Sequence, residues 1–218
     1  MTARSRTSTG KGGVIGPGDV QWMTAASGIL HEEFHSPGFT KTGGPFRVLQ
    51  LWVNLPAKDK MTAPGYQSIA AADIPLIDLS KGAGRVRVIA GRFGDTGGPA
   101  HTFTPINLWD VRLNTDGRAS FRLPAGHTAA VFVLSGNARI GDSTLDEATL
   151  AVLSPEENDL EITARAATKL LIFSGEPIDE PIVGYGPFVM NTREEIQQAF
   201  IDFQSGRMGR IGAASPFS

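Results

Sequence analysis

The chain has 218 residues and a formal net charge of −2, with 41% hydrophobic and 19% charged residues, which is an ordinary globular composition. It contains no cysteine, which excludes disulfides and thiolate-bound metal, so that only His, Asp or Glu could hold an ion. The near-neutral charge argues against direct nucleic-acid contact, and no apolar run reaches the roughly 18 residues of a membrane span. The N-terminus lacks the apolar core of a secretory signal, so we predict a cytoplasmic protein.

Short strand-like runs separated by turn residues dominate the sequence. We expect the first seven residues, MTARSRT, to be disordered, and we predict a strand in FRVLQLWVNL at 46–55. Further strands are predicted at 85–91, 107–113, 119–123, 128–136, 137–141, 148–154, 159–164 and 168–175. Short strands at near-regular spacing, with turns between them, predict an all-β antiparallel sandwich or barrel.

One helix is predicted near the end of the chain. Asn191 is placed to cap it, with Glu194 three residues later completing a capping box. Its apolar residues follow helical spacing on one face, and they are Ile196, Ala199, Phe200 and Phe203. Gly206 is a plausible end. We expect this helix to pack against a sheet and to have no catalytic role.

A glycine- and proline-rich stretch at 91–105 indicates a boundary, and we predict domains at 1–97 and 98–212. The loop residue His101 and the strand-entrance residue His127 are expected to be solvated rather than to bind a ligand. The three tryptophans are expected to be core or barrel-lining residues, and they are Trp22, Trp52 and Trp109.

The segment HEEFH at 31–35 satisfies H-E-x-x-H, the signature of zinc proteases. That chemistry requires a helix, because only there do histidines four apart share one face. Gly28 and the pair Pro37-Gly38 leave room for barely two turns, and Lys41 stands where one family of such proteases has its third ligand. We therefore disfavour a protease.

In an extended strand, residues two apart point to the same side. His31, Glu33 and His35 would then share one face, while Glu32 and Phe34 would share the other. A histidine and a carboxylate on the inward face of a small barrel can hold a divalent metal. A polar strand end facing water explains the same spacing equally well, and spacing leaves both interpretations open.

The stretch GPGDVQWMTAASGILHEEF resembles the pirin family, whose members are double cupins. GDVQWM at 18–23 matches a family strand and turn, and Gly28-Ile29, His31 and Glu33 match the G-I-x-H-x-E metal motif that follows. The similarity continues through LQLWVNLP and through GEPIDEPIVGYGPFVMNTREEIQQAF at 175–200. It covers the chain from about Ser8 onward.

The resemblance implies two β-barrel cupin domains and a C-terminal helix, with one mononuclear metal in the first barrel and none in the second. His31 and Glu33 would be two of the ligands. The metal would be Fe(II), with Ni, Mn, Cu or Zn as alternatives. His35 has no counterpart among the family's ligands.

The sequence departs from the family in one respect. The remaining ligands of the family come from an H-P-H-R-G motif about forty residues upstream, and this chain has no such motif, since His31 is its first histidine. The first barrel is therefore expected to be truncated at its start and incomplete. Its apolar residues would then meet water, with Val20, Trp22, Ile29 and Leu30 as candidates.

Three hypotheses about function follow. The first is a flavonol (quercetin) 2,3-dioxygenase with Glu33 as ligand and proton acceptor, impaired by the missing histidines. The second is a non-catalytic, redox-sensitive regulatory module that binds a protein partner. The third is a folded remnant without activity. The expected partners are thus a flavonol-like aromatic substrate or a protein, with no nucleic acid and no membrane.

Overall fold

The computed structural model describes residues 2–154, 156 and 159–212. It divides into two compact units, one formed by Met1–Ala71 with Ile178–Ser218 and the other by Ala72–Pro177. The predicted boundary at 97/98 falls inside the second unit, and the division into 1–97 and 98–212 stays a prediction. Within the described residues, no helix is both long and apolar enough to cross a membrane.

Two small antiparallel sheets and a short helix form the first part of the first unit. The strands are β1 (Ala3–Thr7), β2 (Gly12–Ile15), β3 (Val20–Thr24), β4 (His31–His35) and β5 (Gly65–Ile69), and the helix is α1 (Pro37–Thr42). β1 lies between β2 and β4, while β3 pairs with β5. One-turn 3₁₀ helices follow at Ala57–Asp59 and Ala71–Asp73.

The expected disorder of the first residues is wrong for Ala3–Thr7, which form the central strand of their sheet. Ser5 and Thr7 are buried on one face of this strand. Arg6 points to the other face, where its Nη2 lies 2.6 Å from Oε2 of Glu32 on β4. The segment is polar, yet its period-2 pattern is satisfied by cross-strand partners, which propensity alone does not reveal.

The predicted strand at 46–55 is also wrong. These residues form no regular element, and six of their apolar side chains are exposed: Phe46, Val48, Leu49, Leu51, Trp52 and Val53. A strand requires a neighbour for its backbone hydrogen bonds, and no described strand pairs with this segment. Trp52 is 66% exposed, contrary to its predicted core position, whereas Trp109 is buried as predicted.

The residues that we expected to face water are only half-buried, namely Val20, Trp22, Ile29 and Leu30. The exposed large apolar side chains of this unit include six in the segment 46–53, and others such as Val14, Met61 and Ile182. The expectation that the first barrel is incomplete stays a prediction.

The second unit consists of antiparallel strands joined by short turns, with a 3₁₀ turn at Ser80–Gly82. Its strands are β6 (Leu76–Asp78), β7 (Gly84–Ala90), β8 (Arg92–Phe93), β9 (Thr96–Gly97), β10 (Ile106–Leu113), β11 (Arg118–Arg122), β12 (Thr128–Ser135), β13 (Ala138–Ile140), β14 (Ser143–Leu145), β15 (Leu150–Val152), β16 (Asp159–Thr163) and β17 (Thr168–Gly175). They form a six-stranded sheet in the order β15-β12-β17-β10-β7-β6, a four-stranded sheet in the order β11-β16-β13-β14, and a β8-β9 ribbon. All eight strands predicted from residue 85 onward are confirmed.

The core of the second unit joins residues of both large sheets. Val111, Leu170 and Ile172 of the six-stranded sheet and Phe121 and Ile162 of the four-stranded sheet belong to one buried cluster. Burial alternates along β11 and β16 of the four-stranded sheet, as expected of a sheet with one face packed on a core and the other open to solvent. This packing makes the second unit a β-sandwich.

The chain then returns to the first unit through the hairpin of β18 (Val183–Tyr185) and β19 (Phe188–Met190) and ends in helix α2 (Arg193–Gln204). The predicted helix is confirmed. Its Phe200 ring packs edge-on against Tyr185 and Phe188, with centroids 5.6 and 5.0 Å apart.

The predicted cap of α2 is wrong by one residue. Thr192 is the N-cap, and Glu195 completes the capping box. The Asn191 amide is engaged elsewhere, because its Nδ2 donates to Glu180 Oε2 and to the Pro181 carbonyl, each at 3.0 Å. On the predicted apolar face only Ile196 is fully buried, and Phe203 is 49% exposed.

Candidate metal site

The H-E-x-x-H segment is an extended strand, β4. The helix that a zinc protease requires is absent from these residues, which agrees with our preference for an extended segment. β4 pairs with β1 over its whole length, with Ser5 opposite Glu33 and Thr7 opposite His31. Because opposed residues of an antiparallel pair project from the same face, the His31 and Glu33 side chains share the face on which Ser5 and Thr7 are buried.

His31 and Glu33 are neighbours on that face. The His31 Nδ1 lies 3.9 Å from the Glu33 Oε1, and the two side chains are 33% and 51% exposed. Glu32 is turned to the opposite face, where it binds Arg6. An imidazole nitrogen and a carboxylate oxygen are therefore presented together, half-buried, on one side of a strand.

A polar floor lies next to this pair. The Gln21 Nε2 donates to the Ser5 hydroxyl at 2.6 Å, which links β3 to β1. The Tyr66 hydroxyl oxygen of β5 is buried and makes no regular hydrogen bond within the described residues. Burial raises the pKa of Tyr66, the nearby Ser5 hydroxyl lowers it, and the Glu33 carboxylate raises it further. Ser5, which lies opposite Glu33, thus connects this pair to Gln21 and to the Tyr66 hydroxyl.

His35 lies on the same face of β4 as His31 and Glu33, but its ring packs against aromatic side chains. Its ring packs edge-on against Phe39 and Phe46, with centroids 5.1 and 4.9 Å apart. Across the described residues, no three His, Asp or Glu side chains converge closely enough to hold an ion. The role of His35 stays unassigned.

The other two histidines lie in the second unit. The His101 ring packs edge-on against Phe103 at 5.4 Å, and His127 Nδ1 is buried without a hydrogen-bond partner among the described residues. Neither belongs to a group of three potential ligands in that part of the chain. The expectation that they would be simply solvated misses the burial of His127.

The residues present match a divalent metal only in part. Histidine nitrogen and carboxylate oxygen suit Fe(II) and the other candidate metals, whose sites usually combine at least three protein ligands. His31 and Glu33 supply two of these, and the described part of the chain adds no third. They fit one side of a metal site and do not complete it.

The sequence pattern indicated His31 and Glu33 as candidate ligands, but it did not indicate the polar side chains near them, which are Ser5, Gln21 and Tyr66. Gln21 lies in the GDVQWM motif, which was a usable signal. Ser5 and Tyr66 lie in no recognisable motif. Each lies near the candidate site only because strand pairings join distant parts of the chain.

A β-sandwich unit and a His-x-Glu pair on a strand of the other unit define a cupin-type protein. More narrowly, the chain belongs to the pirin family. The family model for pirin matches residues 2–53, and the model for the pirin C-terminal cupin domain matches residues 108–209. The match begins at residue 2, so the expected start of the similarity at about Ser8 is wrong.

Relatives and solved structures agree with this assignment. The chain is 56% identical over 203 residues to a Pseudomonas aeruginosa protein named "putative quercetin 2,3-dioxygenase", covering 93% of this chain and 71% of that one. A crystal structure of quercetin 2,3-dioxygenase from Acinetobacter baumannii superposes with a TM-score of 0.92 at 48% identity, over 97% of this chain and 74% of the other. The bacterial pirin YhhW of Escherichia coli, in complex with nickel(II), shares the fold at 18% identity and a TM-score of 0.61, over 81% of this chain and 69% of the other.

Proposed function

We propose that His31 and Glu33 bind one divalent metal and that the reaction of the site is 2,3-dioxygenation of a flavonol such as quercetin. The observation that carries this proposal is the pair of donors on one face of β4, with 3.9 Å between His31 Nδ1 and Glu33 Oε1. The names of the Pseudomonas and Acinetobacter proteins supply the reaction class. Fe(II) is the first candidate, with Ni, Mn, Cu and Zn as alternatives.

A divalent metal held by His31 and Glu33 would supply a Lewis acid for the flavonol oxygen. The residues of the chain provide the rest. Glu33 would accept the flavonol proton on an Oε atom. Ser5 lies directly opposite Glu33 on β1, and the Glu33 carboxylate raises the pKa of Tyr66.

We expect the 218-residue chain to bind metal weakly and to react slowly. Two protein ligands leave the coordination geometry under-determined, because water must fill the other positions. The family activity should therefore be present at a reduced level and should depend on added metal.

The experiment measures metal content by mass spectrometry and quercetin consumption under dioxygen after loading with Fe(II). The variants are His31→Ala and Glu33→Ala, with His35→Ala as the matched control on the same face of the same strand. We expect metal and activity to fall in the first two and to persist in His35→Ala. Equal loss in all three, or metal binding that survives both ligand substitutions, would refute the assignment.

A second candidate is the regulatory module that binds a protein partner, with the redox state of the metal altering the surface. The exposed apolar segment 46–53 favours it, because contiguous exposed apolar surface marks interaction sites. The same assay separates the two candidates. Metal that binds through His31 and Glu33 without quercetin consumption would support the module and exclude the enzyme.

A further inference from the structure

A concavity of about 320 Å³ lies on the four-stranded sheet of the second unit. Its lining is arginine-rich and consists of Arg118, Arg139, Gly141, Glu161, Thr163 and Arg165. This volume is at the small end of the range for ligand sites. None of these residues belongs to the candidate metal site.

Strand register explains why the arginines converge. Thr163 of β16 is directly opposite Arg118 of β11 on one side and Arg139 of β13 on the other. The neighbours of Thr163 in sequence, Ile162 and Ala164, are fully buried. Because residues alternate across a strand, Thr163 and the two arginines form a row on the outer face of the sheet.

The charges in this concavity are unbalanced. Glu161 is the sole acidic lining residue, and its Oε1 lies 2.7 Å from Arg118 Nη2. Arg139 donates through Nε to the Gly141 carbonyl at 2.9 Å and lies 3.4 Å from Asp142 at the rim. Arg165 makes no ion pair or hydrogen bond within the described part of the chain, and neither does the Thr163 hydroxyl. Three arginines and one glutamate leave a formal charge of +2 on the lining.

We infer that this concavity binds the phosphate group of a small metabolite. A planar carboxylate is satisfied by the two parallel hydrogen bonds of one guanidinium. Three guanidinium groups, from β11, β13 and the bend after β16, together with a hydroxyl, match a tetrahedral dianion with three terminal oxygens. Arg118 is paired with Glu161 and Arg139 with Asp142, so that Arg165 supplies the charge that the cluster leaves uncompensated.

The alternative, that the three arginines serve only to stabilise the fold, explains their arrangement poorly. Exposed ion pairs contribute about 0–1 kcal/mol, and like charges that converge repel one another. The same outer face shows what a balanced arrangement looks like. Arg122 donates two hydrogen bonds to Asp159, with Nε–Oδ1 at 2.9 Å and Nη2–Oδ2 at 3.4 Å, so that one guanidinium is matched by one carboxylate.

The test is isothermal titration calorimetry of the intact chain at low ionic strength with three probes: inorganic phosphate, glycerol phosphate and acetate. We expect both phosphates to bind and acetate to bind at least about tenfold more weakly, since one charge-assisted hydrogen bond is worth about 1.5–3 kcal/mol. Tighter binding of glycerol phosphate would identify an ester as the ligand, and equal binding would identify the free ion. Absence of phosphate binding, or acetate binding as tight as phosphate, would overturn the proposal.

Two variants and a matched control locate the site. Arg165→Ala and Thr163→Val remove donors without breaking any contact described in the fold, so circular dichroism should be unchanged. Arg165→Ala should weaken phosphate binding about tenfold or more, and Thr163→Val by a smaller factor. Arg122→Ala, on the same face outside the concavity, should leave binding within about twofold. Unchanged binding in Arg165→Ala, or an equal loss in Arg122→Ala, would show that the binding is diffuse electrostatic attraction and would overturn the proposal.

Discussion

Replacing the buried Lys60 by methionine should destabilise the first unit by about 2 kcal/mol, and two hydrogen bonds and the burial of the ammonium set this magnitude. The residue is 5% exposed. Its Nζ donates to Asn54 Oδ1 at 2.6 Å and to the Val189 carbonyl at 3.2 Å. Two hydrogen bonds from a charged donor contribute roughly 3–6 kcal/mol together, and desolvation of the ammonium offsets part of this. Methionine keeps most of the stem packing.

The carboxylates around Lys60 limit the loss. Glu180 accepts hydrogen bonds from the Ala57 amide at 2.6 Å and from Asn191 Nδ2 at 3.0 Å. Glu195 accepts from the Asn191 and Thr192 amides, each at 2.9 Å. Neither acid would be left buried and unpaired in Lys60→Met, so the cost stays below the roughly 3–5 kcal/mol that an orphaned buried charge brings.

Urea unfolding followed by circular dichroism measures the effect, with Lys58→Met as the matched control. Lys58 is 78% exposed and lies 3.7 Å from Asp59, so its replacement should change stability by less than about 0.5 kcal/mol. If Lys60→Met were as mild as Lys58→Met, the contacts of Lys60 would not stabilise the fold and the reasoning would be refuted.

The pH dependence of this difference provides a second readout. Burial lowers the pKa of Lys60 below its ordinary value of 10.5, and Glu180 and Glu195 offset part of that shift. The unfolded chain therefore binds more protons between the lowered pKa and 10.5. The stability of the wild type relative to Lys60→Met should rise as pH increases through that window, and a falling difference would contradict it.

Three further predictions follow from local contacts. Thr192→Ala removes the N-cap of α2 and should cost about 1 kcal/mol in urea unfolding, whereas Thr192→Ser should cost little. Phe121→Ala empties a core position that is 1% exposed and should cost about 3–5 kcal/mol, and a loss below about 1 kcal/mol would show that the core collapses around it. In the Tyr185→Phe variant, Tyr66 is the sole tyrosine, and its pKa in an ultraviolet titration should lie above the ordinary value of 10.0. Adding Glu33→Gln should lower the pKa of Tyr66, because the Glu33 carboxylate raises it. An unchanged pKa would show that Glu33 lies too far from Tyr66 to affect it.

The strands of the second unit could be predicted because each is a short run rich in apolar, branched residues with turn residues on both sides. β10 and β17 are both strongly apolar, they pair along their full lengths, and their inward residues include Trp109 and Ile172. An apolar run between turn residues is sufficient to predict a strand where a neighbouring strand pairs with it.

An apolar, strand-like pattern led to the wrong prediction of a strand at 46–55. A polar pattern led to the wrong prediction of disorder at 3–7. FRVLQLWVNL has the residues of a strand without a partner among the described strands, whereas ARSRT is polar and forms the centre of a sheet. Strand formation depends on pairing as well as on composition, and pairing over long sequence separations cannot be read from a local window. The one-residue error at the helix cap has a similar cause, since Asn191 is engaged with Glu180 rather than with the helix.

His35 shows where prediction of the site from spacing ends. Its position two residues after Glu33 places it on the same face of β4 as His31 and Glu33. The rings that it contacts, Phe39 and Phe46, come from α1 and the irregular segment that follows. Nothing in the pattern HEEFH specifies them. Strand periodicity determines which face a side chain occupies, but the segments packed against that face determine its neighbours. His31 Nδ1 therefore lies 3.9 Å from Glu33 Oε1, whereas the third residue of the His-x-Glu-x-His pattern packs against two phenylalanine rings.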